Sequence, residues 1–256
     1  MDCESGFRLD SLRDSANAER RLCLAILSLQ SRRGDVLAEA SFLGKSWTNG
    51  RRLFFGVTLA TCGVVLLEMT RTDLSDPEGI SSLIQLSVRL SVPWLYLAFA
   101  ASSVRKLSSH ELGRWWLRNR RIFGLCFAMG MGWQAFFILW MVIGHSGYYA
   151  EEVYSLADIS VQIPGYLFLI AMTATSFKPT RRKLSLKQWQ WLHKIGIYFL
   201  WATVWSTYWY ELYYYDDIQL IDHVYYWLGF FAWATRISAW AKRRGWPTVR
   251  PKPARA

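Results

Sequence analysis

Charged residues and cysteine are both scarce in this sequence, and each shortage excludes a class of protein. Asp, Glu, Lys and Arg make up 19% of the 256 residues, whereas in a soluble domain they amount to about a quarter. The four cysteines are Cys3, Cys23, Cys62 and Cys126, with no C-x-x-C pair among them and two within apolar runs. Neither a disulfide framework nor a zinc site is therefore indicated.

Linkers, internal repeats and low-complexity tracts are also missing, so no second soluble domain is indicated. The sequence is rich instead in apolar and aromatic residues: 52% are hydrophobic, with 15 Trp, 13 Tyr and 14 Phe. The formal net charge of +11 has two interpretations, a nucleic-acid-binding surface or the Lys- and Arg-rich cytoplasmic loops of a membrane protein. The positions of the charges decide between them.

Six apolar stretches are long enough to cross a bilayer. A spanning helix needs about 20 mostly apolar residues, because each residue rises about 1.5 Å and the hydrocarbon core is about 30 Å thick. The stretches cover residues 53–69, 80–104, 122–143, 159–177, 191–210 and 224–240, and the last includes Arg236. The sequence thus predicts an all-α membrane bundle of about six transmembrane helices.

The connections between these stretches alternate in charge. Basic residues concentrate in residues 1–52, in the second and fourth connections and in the tail, whereas the other three connections are acidic. The acidic residues are Asp73, Asp76, Glu78, Glu151, Glu152, Asp158, Glu211, Asp216, Asp217 and Asp222. By the positive-inside rule both termini are predicted to be cytoplasmic, as an even number of spans requires. Loops at the bilayer therefore explain the basic charge, and no nucleic-acid partner is expected.

Three regions follow from this pattern: a cytoplasmic extension at 1–50, a transmembrane domain at 51–241 and a basic cytoplasmic tail at 242–256. The extension contains one apolar run, at 22–29, between two pairs of arginines. This run is too short to span and no cleavage site follows it, so it predicts neither a transmembrane helix nor a signal peptide. An amphipathic helix on the anionic inner leaflet fits its basic flanks, and a poorly ordered extension fits equally well.

Tyrosine and tryptophan crowd residues 208–227, at the outer ends of the last two predicted helices. Both side chains favour the headgroup layer, where the ring is half buried and its polar atom is wet. The run therefore has two interpretations, an interfacial aromatic belt and a docking surface for an extracytoplasmic partner.

Ionisable groups inside a bilayer are costly, so each one in a predicted span is a functional candidate. The candidates are Glu68, Arg89 and His193, beside the neutral polar residues Gln134, Gln162 and Ser206. Glu68 and Arg89 lie near the same side of the membrane and could form an ion pair. Arg89 could alternatively snorkel to the interface or hold an anionic group such as a haem propionate.

Three segments carry a resemblance to a known family. They are RNRRIFGL at 118–125, WQWLHKIGIY at 189–198 and SVRLSVPWLYLAFAASSVRKL in the second predicted helix. Over roughly residues 50–240 the chain resembles the ferric-reductase-like transmembrane domain family, particularly its short bacterial MsrQ/YedZ-like branch. The resemblance implies a six-helix bundle in the bacterial inner membrane. It also implies electron transfer, through b-type haem held by histidines on the third and fifth helices, to a membrane or extracytoplasmic redox partner.

The family's haem ligands are largely replaced here. Two family histidines correspond to Gln134 on the third helix and to Ser206 on the fifth, so the resemblance implies that an outer haem is lost. Gln134 and Ser206 lie at similar predicted depth and could hydrogen-bond each other across the helices. His193 could still ligate an inner haem b, with Met131 as a conceivable second axial ligand.

Two functional hypotheses remain open at this point. The first is a membrane electron-transfer subunit of an oxidoreductase system with degenerate b-haem ligation. The second is a haem-free membrane scaffold that binds a partner protein. About 16 residues follow the last predicted span, so no flavin or NAD(P)H site is expected in either case. A transporter is disfavoured because the sequence shows no inverted repeat or pair of broken helices.

Overall fold

The computed structural model describes residues 48–108, 110–150, 156–214 and 218–244, and within these ranges the regular structure is helical, with no strand. The chain divides after Asn49 into two compact units, and the helices described below belong to the second. The predicted amphipathic helix at 22–29 and all but the first residues of the predicted tail lie outside the described residues.

Six long helices make up the described part of the second unit. They are α1 (Gly50–Met69), α2 (Pro77–Leu107), α3 (Glu111–Gly144), α4 (Leu156–Ala174), α5 (Leu186–Tyr214) and α6 (Leu220–Arg243). Short helical turns at Ser146–Tyr148 and Lys178–Arg181 lie in two of the connections. Each predicted apolar stretch falls mainly on one long helix, so the all-α prediction is confirmed.

The predicted end of the fourth helix is wrong. The apolar stretch continues to residue 177, but α4 ends at Ala174. The backbone N–H groups of Ser176 and Phe177 bond to carbonyls three residues back, which closes the helix with a tight turn. A new short helix then begins at Lys178 with a proline in its first turn, where the missing N–H of proline leaves no helical bond unmade.

Three of the long helices, α1, α2 and α3, are both long and apolar enough to span a membrane by length and composition. The apolar helical segment of α4, Ser160–Ala174, is shorter than a full span. The helices α5 and α6, at 29 and 24 residues, have sufficient length but not the same apolar composition. A helical membrane protein is thus supported, and the six crossings remain a prediction.

Helix α2 occupies the centre of the packing and contacts α1, α3, α5 and α6. Small residues allow these close approaches. A Cβ atom at Gly130 of α3 would overlap the Ser91 side chain of α2. A Cβ atom at Gly229 of α6 would lie 2.6 Å from Trp205 Cδ1 and 2.8 Å from the Tyr96 hydroxyl oxygen.

The outer surface of the bundle is apolar. Large hydrophobic side chains such as Leu59 of α1 and Ile143 of α3 are 77% and 81% exposed. A monomeric soluble protein rarely leaves apolar surface of this extent in contact with water. Contact with the acyl chains of a lipid bilayer accounts for it.

Candidate functional site

A cavity of about 640 Å³ lies among α2, α3, α4, α5 and α6, at the end of the bundle that carries the second and fourth connections. Consecutive helices alternate in direction, so the start of α5 lies beside the ends of α4 and α6. We call this space the basic cavity, because its charged lining includes Arg120, Arg121, Arg181, Lys194 and Arg236. Its apolar wall includes Leu95, Phe127, Leu169, Ile197 and Leu200.

His193 lines the basic cavity and is held in place by two neighbours. Its Nε2 atom lies 3.1 Å from the Thr175 hydroxyl oxygen. The Thr175 hydroxyl oxygen also lies 2.7 Å from the Ala171 carbonyl oxygen, so the imidazole, the hydroxyl and the α4 backbone form one small network. The Trp189 ring lies 4.6 Å from the imidazole, and its Nε1 donates to the Thr175 carbonyl. Thr175 and Trp189 therefore fix the position of the imidazole.

Gln134 and Ser206 are not brought together, and the predicted hydrogen bond between them is wrong. The Tyr166 hydroxyl of α4 donates to Oε1 of Gln134 at 2.9 Å. The Ser206 hydroxyl donates instead to the Thr203 carbonyl of its own helix at 2.8 Å, a local bond that serine readily forms in helices. Neither residue lines the basic cavity.

Met131 also lies away from His193. It is partly buried against the central hydrophobic core, and it does not line the basic cavity. The thioether in the cavity wall is that of Met172 on α4, which packs against Gly196 of α5. Met172 was not predicted as a cavity residue. The sequence feature that pointed to it was its position near the end of an apolar stretch.

The residues of the basic cavity do not fit a six-coordinate haem. An electron-transfer haem of that kind needs two strong axial ligands on facing helices. Among the described residues that line the cavity, His193 carries the one imidazole, and its Nε2 lies at hydrogen-bond distance from the Thr175 hydroxyl. Over the described ranges, no group of three or more His, Cys, Asp and Glu side chains is placed to hold a metal ion.

The predicted Glu68–Arg89 ion pair is also wrong. Arg89 lies 3.8 Å from Asp222 of α6, whose side chain is 5% exposed, whereas Glu68 pairs with Arg71 three residues along the chain. Asp222 is held in position because it completes a capping box with Gln219 at the start of α6. Arg89 does not line the basic cavity, so it is not brought near His193.

Arg236 is the cavity residue that the sequence least suggested. Its guanidinium carbon lies 4.1 Å from the centre of the Phe99 ring and 4.5 Å from that of Tyr198. Its Nη1 atom is buried and has no hydrogen-bond partner. Arg243, two helical turns further along α6, also lines the cavity. The signals in the sequence were the position of Arg236 inside the last apolar stretch and this seven-residue spacing on one helical face.

The acidic end of the bundle carries the described part of the aromatic run. Tyr208 and Tyr225 are buried, with ring centres 5.3 Å apart. Tyr213 and Tyr214 are 65% and 68% exposed, and Trp227 is half exposed. The run therefore both closes the packing of α5 and α6 and presents aromatic rings outward. Its residues 215–217 lie outside the described residues.

Comparison with known proteins finds no matching family model, no matching curated protein and no matching solved structure.

Proposed function

We propose that the chain is a six-helix membrane protein of the ferric-reductase-like kind that works as a haem-free subunit and binds another membrane or extracytoplasmic protein. In this proposal both termini lie in the cytoplasm of a bacterial cell and the bundle lies in the inner membrane. The alternating charge of the connections supports that orientation.

One observation carries the haem-free part of the proposal: the residues at the ligand positions are already engaged. Gln134 accepts a hydrogen bond from Tyr166, Ser206 bonds to its own helix, and Nε2 of His193 forms a hydrogen bond with the Thr175 hydroxyl. Amide and hydroxyl groups are also poor ligands for haem iron, which takes imidazole, thioether or thiolate. These engaged side chains support the haem-free part of the proposal.

The exposed aromatic rings at the acidic end of the bundle are the proposed contact for the partner. Tyrosine and tryptophan are enriched at protein interfaces because each offers a large rigid apolar area with one polar atom. A photo-cross-linking residue at Tyr213 would test this contact in cells. Phe55 of α1 is the matched control, since both side chains are 65% exposed. We expect a protein adduct at position 213 and none at position 55, whereas adducts to lipid alone at both positions would argue for a belt.

A second candidate, a membrane redox subunit, is favoured by the size and lining of the basic cavity. His193 would hold the iron of a five-coordinate b-type haem there, and Arg120 and Arg181 would face its carboxylates. Such a haem would supply one-electron transfer between partner proteins. The cavity is within the range of about 300–1,000 Å³ that small-molecule sites occupy.

A reduced-minus-oxidised absorbance spectrum separates the two candidates. The full chain would be purified in mild detergent from haem-replete cells. We expect no Soret band. A stoichiometric b-type spectrum that is lost in His193→Ala and kept in His223→Ala would overturn the haem-free proposal, because the exposed His223 lies outside the cavity.

A further inference from the structure

Positive side chains from four helices and one turn line the basic cavity: Lys106 of α2, Arg120 of α3, Lys194 of α5, Arg236 of α6 and Arg181 of the turn after α4. Arg120 of α3 lies within electrostatic range of Arg236 of α6. Like charges that face one shared space repel one another, and an anion bound between them would relieve that repulsion.

Among the residues that the structure describes, no Asp or Glu lines the basic cavity. The salt bridges in the described ranges join Arg71 to Glu68, Arg89 to Asp222 and Arg114 to Glu111, and none of these residues belongs to the cavity. The positive charges at Arg120, Arg181 and Arg236 are thus not neutralised by any acidic side chain that the structure describes.

Arg236 provides an independent sign of a ligand. Its Nη1 atom is a buried charged donor without an acceptor, and a buried polar group costs free energy unless it forms a hydrogen bond. The guanidinium is fixed in place by the Phe99 and Tyr198 rings. It is therefore a fixed donor on the wall of the basic cavity.

We infer that the basic cavity binds a phosphate-bearing anion, with its phosphate group among Arg120, Arg181 and Arg236. Guanidinium groups bind phosphate oxygens with paired, charge-assisted hydrogen bonds. Basic pockets between helix ends are a known setting for anionic lipid headgroups. The apolar wall formed by residues such as Leu169 and Leu200 would accommodate an acyl or other apolar part of the ligand.

The same phosphate chemistry has two sources, an anionic phospholipid and a soluble phosphate ester. The apolar wall distinguishes them, because only the lipid has a hydrocarbon portion to bury. Three probes follow for the full chain in detergent: dihexanoyl phosphatidic acid, dihexanoylglycerol and glycerol 3-phosphate. Binding would be measured by native mass spectrometry, with thermal unfolding as the second readout.

Binding of phosphatidic acid but not dihexanoylglycerol supports the inference with a lipid source. Binding of glycerol 3-phosphate with similar affinity supports it with a soluble source. Equal binding of phosphatidic acid and dihexanoylglycerol, or binding of none of the probes, would overturn it. None of these outcomes depends on a haem spectrum or on a partner protein, so this inference and the proposed function stand or fall separately.

Three single substitutions locate the site. Arg236→Gln and Arg120→Gln each remove one charged donor, and each is expected to weaken phosphatidic acid binding on the order of tenfold or more. Arg244→Gln is the matched control, since Arg244 stacks on Trp240 at 4.4 Å and does not line the cavity. Affinity unchanged in both cavity variants, or weakened equally in the control, would contradict the assignment. Should Arg236→Gln fail to fold, Arg181→Gln provides the same comparison from the turn after α4.

Discussion

Nε2 of His193 and the hydroxyl oxygen of Thr175 lie 3.1 Å apart, in a hydrogen bond that links α5 to the end of α4. Thr175 is 6% exposed, so the bond is shielded from water. The histidine that the sequence suggested as an iron ligand therefore forms a hydrogen bond between helices.

Removing the Thr175 hydroxyl from that bond should weaken the bundle. Thr175→Val keeps the shape of the side chain but removes the hydroxyl that bonds to Nε2 of His193, which we expect to lower the free energy of unfolding by about 1–2 kcal/mol. Unfolding in an SDS titration, followed by tryptophan fluorescence, measures the change. Thr207→Val is the control, because Thr207 is exposed and bonds only to its own helix. An equal loss of unfolding free energy in Thr175→Val and Thr207→Val would mean that the bond to His193 does not stabilise the bundle.

The ion pair between Arg89 and Asp222 should contribute more to stability than the pair between Arg71 and Glu68. Asp222→Ala leaves the partly buried Arg89 without its partner and removes the cap of α6, for an expected loss of about 2–4 kcal/mol. Glu68→Ala breaks an exposed pair, for an expected loss of under about 1 kcal/mol. The same SDS titration compares them, and similar losses would show that the 3.8 Å pair at Arg89 is not a structural contact.

The contact between α2 and α3 at Gly130 should tolerate no added methyl group. Gly130→Ala places a Cβ atom against the Ser91 side chain, and overpacking of this kind costs about 1–3 kcal/mol. Gly132→Ala, two residues further along the same helix, meets nothing within 4 Å and should leave the unfolding midpoint unchanged. Adding Ser91→Ala to Gly130→Ala should restore part of the loss. Absence of that rescue would contradict the packing described here.

The six crossings can be tested by cysteine accessibility. Ser75 lies between α1 and α2, and Ser185 lies just before α5. In a variant with all native cysteines replaced by alanine, Ser75→Cys should react with an impermeant maleimide in intact spheroplasts. Ser185→Cys should react only after the membrane is permeabilised. Reaction of both positions from outside would contradict the orientation predicted from the charges.

The positions of the helices could be predicted from the sequence, because a helix in lipid must be apolar along most of its length. The same pattern underestimates helix length: α3 begins at Glu111, well before the apolar stretch that starts at residue 122. The polar first turns of α3 carry Arg120 and Arg121, which line the cavity. A hydropathy pattern does not detect polar helical turns of this kind. By length and composition, α1, α2 and α3 are apolar enough to span a membrane. The helices α5 and α6 carry more polar and aromatic residues, and the apolar segment of α4 is short.

Side-chain partners could not be predicted, because they depend on which helices lie side by side and on how each is rotated. Asp222 rather than Glu68 pairs with Arg89 because α6 packs on α2. The sequence alone does not specify that these two helices are neighbours. Tyr166 reaches Gln134 for a similar reason. The sequence predicted Gln134 and Ser206 at similar depth in the membrane. Depth does not determine which helices are neighbours or how each helix is rotated about its axis.

The pairing of α2 with α6 has a consequence for biosynthesis. The Tyr225 hydroxyl donates to the Arg89 carbonyl and Lys242 to the Lys106 carbonyl, each across 136 positions of the chain. A nascent chain therefore inserts α2 long before the ribosome has made the helix that covers it. Until residue 222 has been made, Arg89 lacks its carboxylate partner, so α2 and α6 can pair only after the start of α6 has emerged.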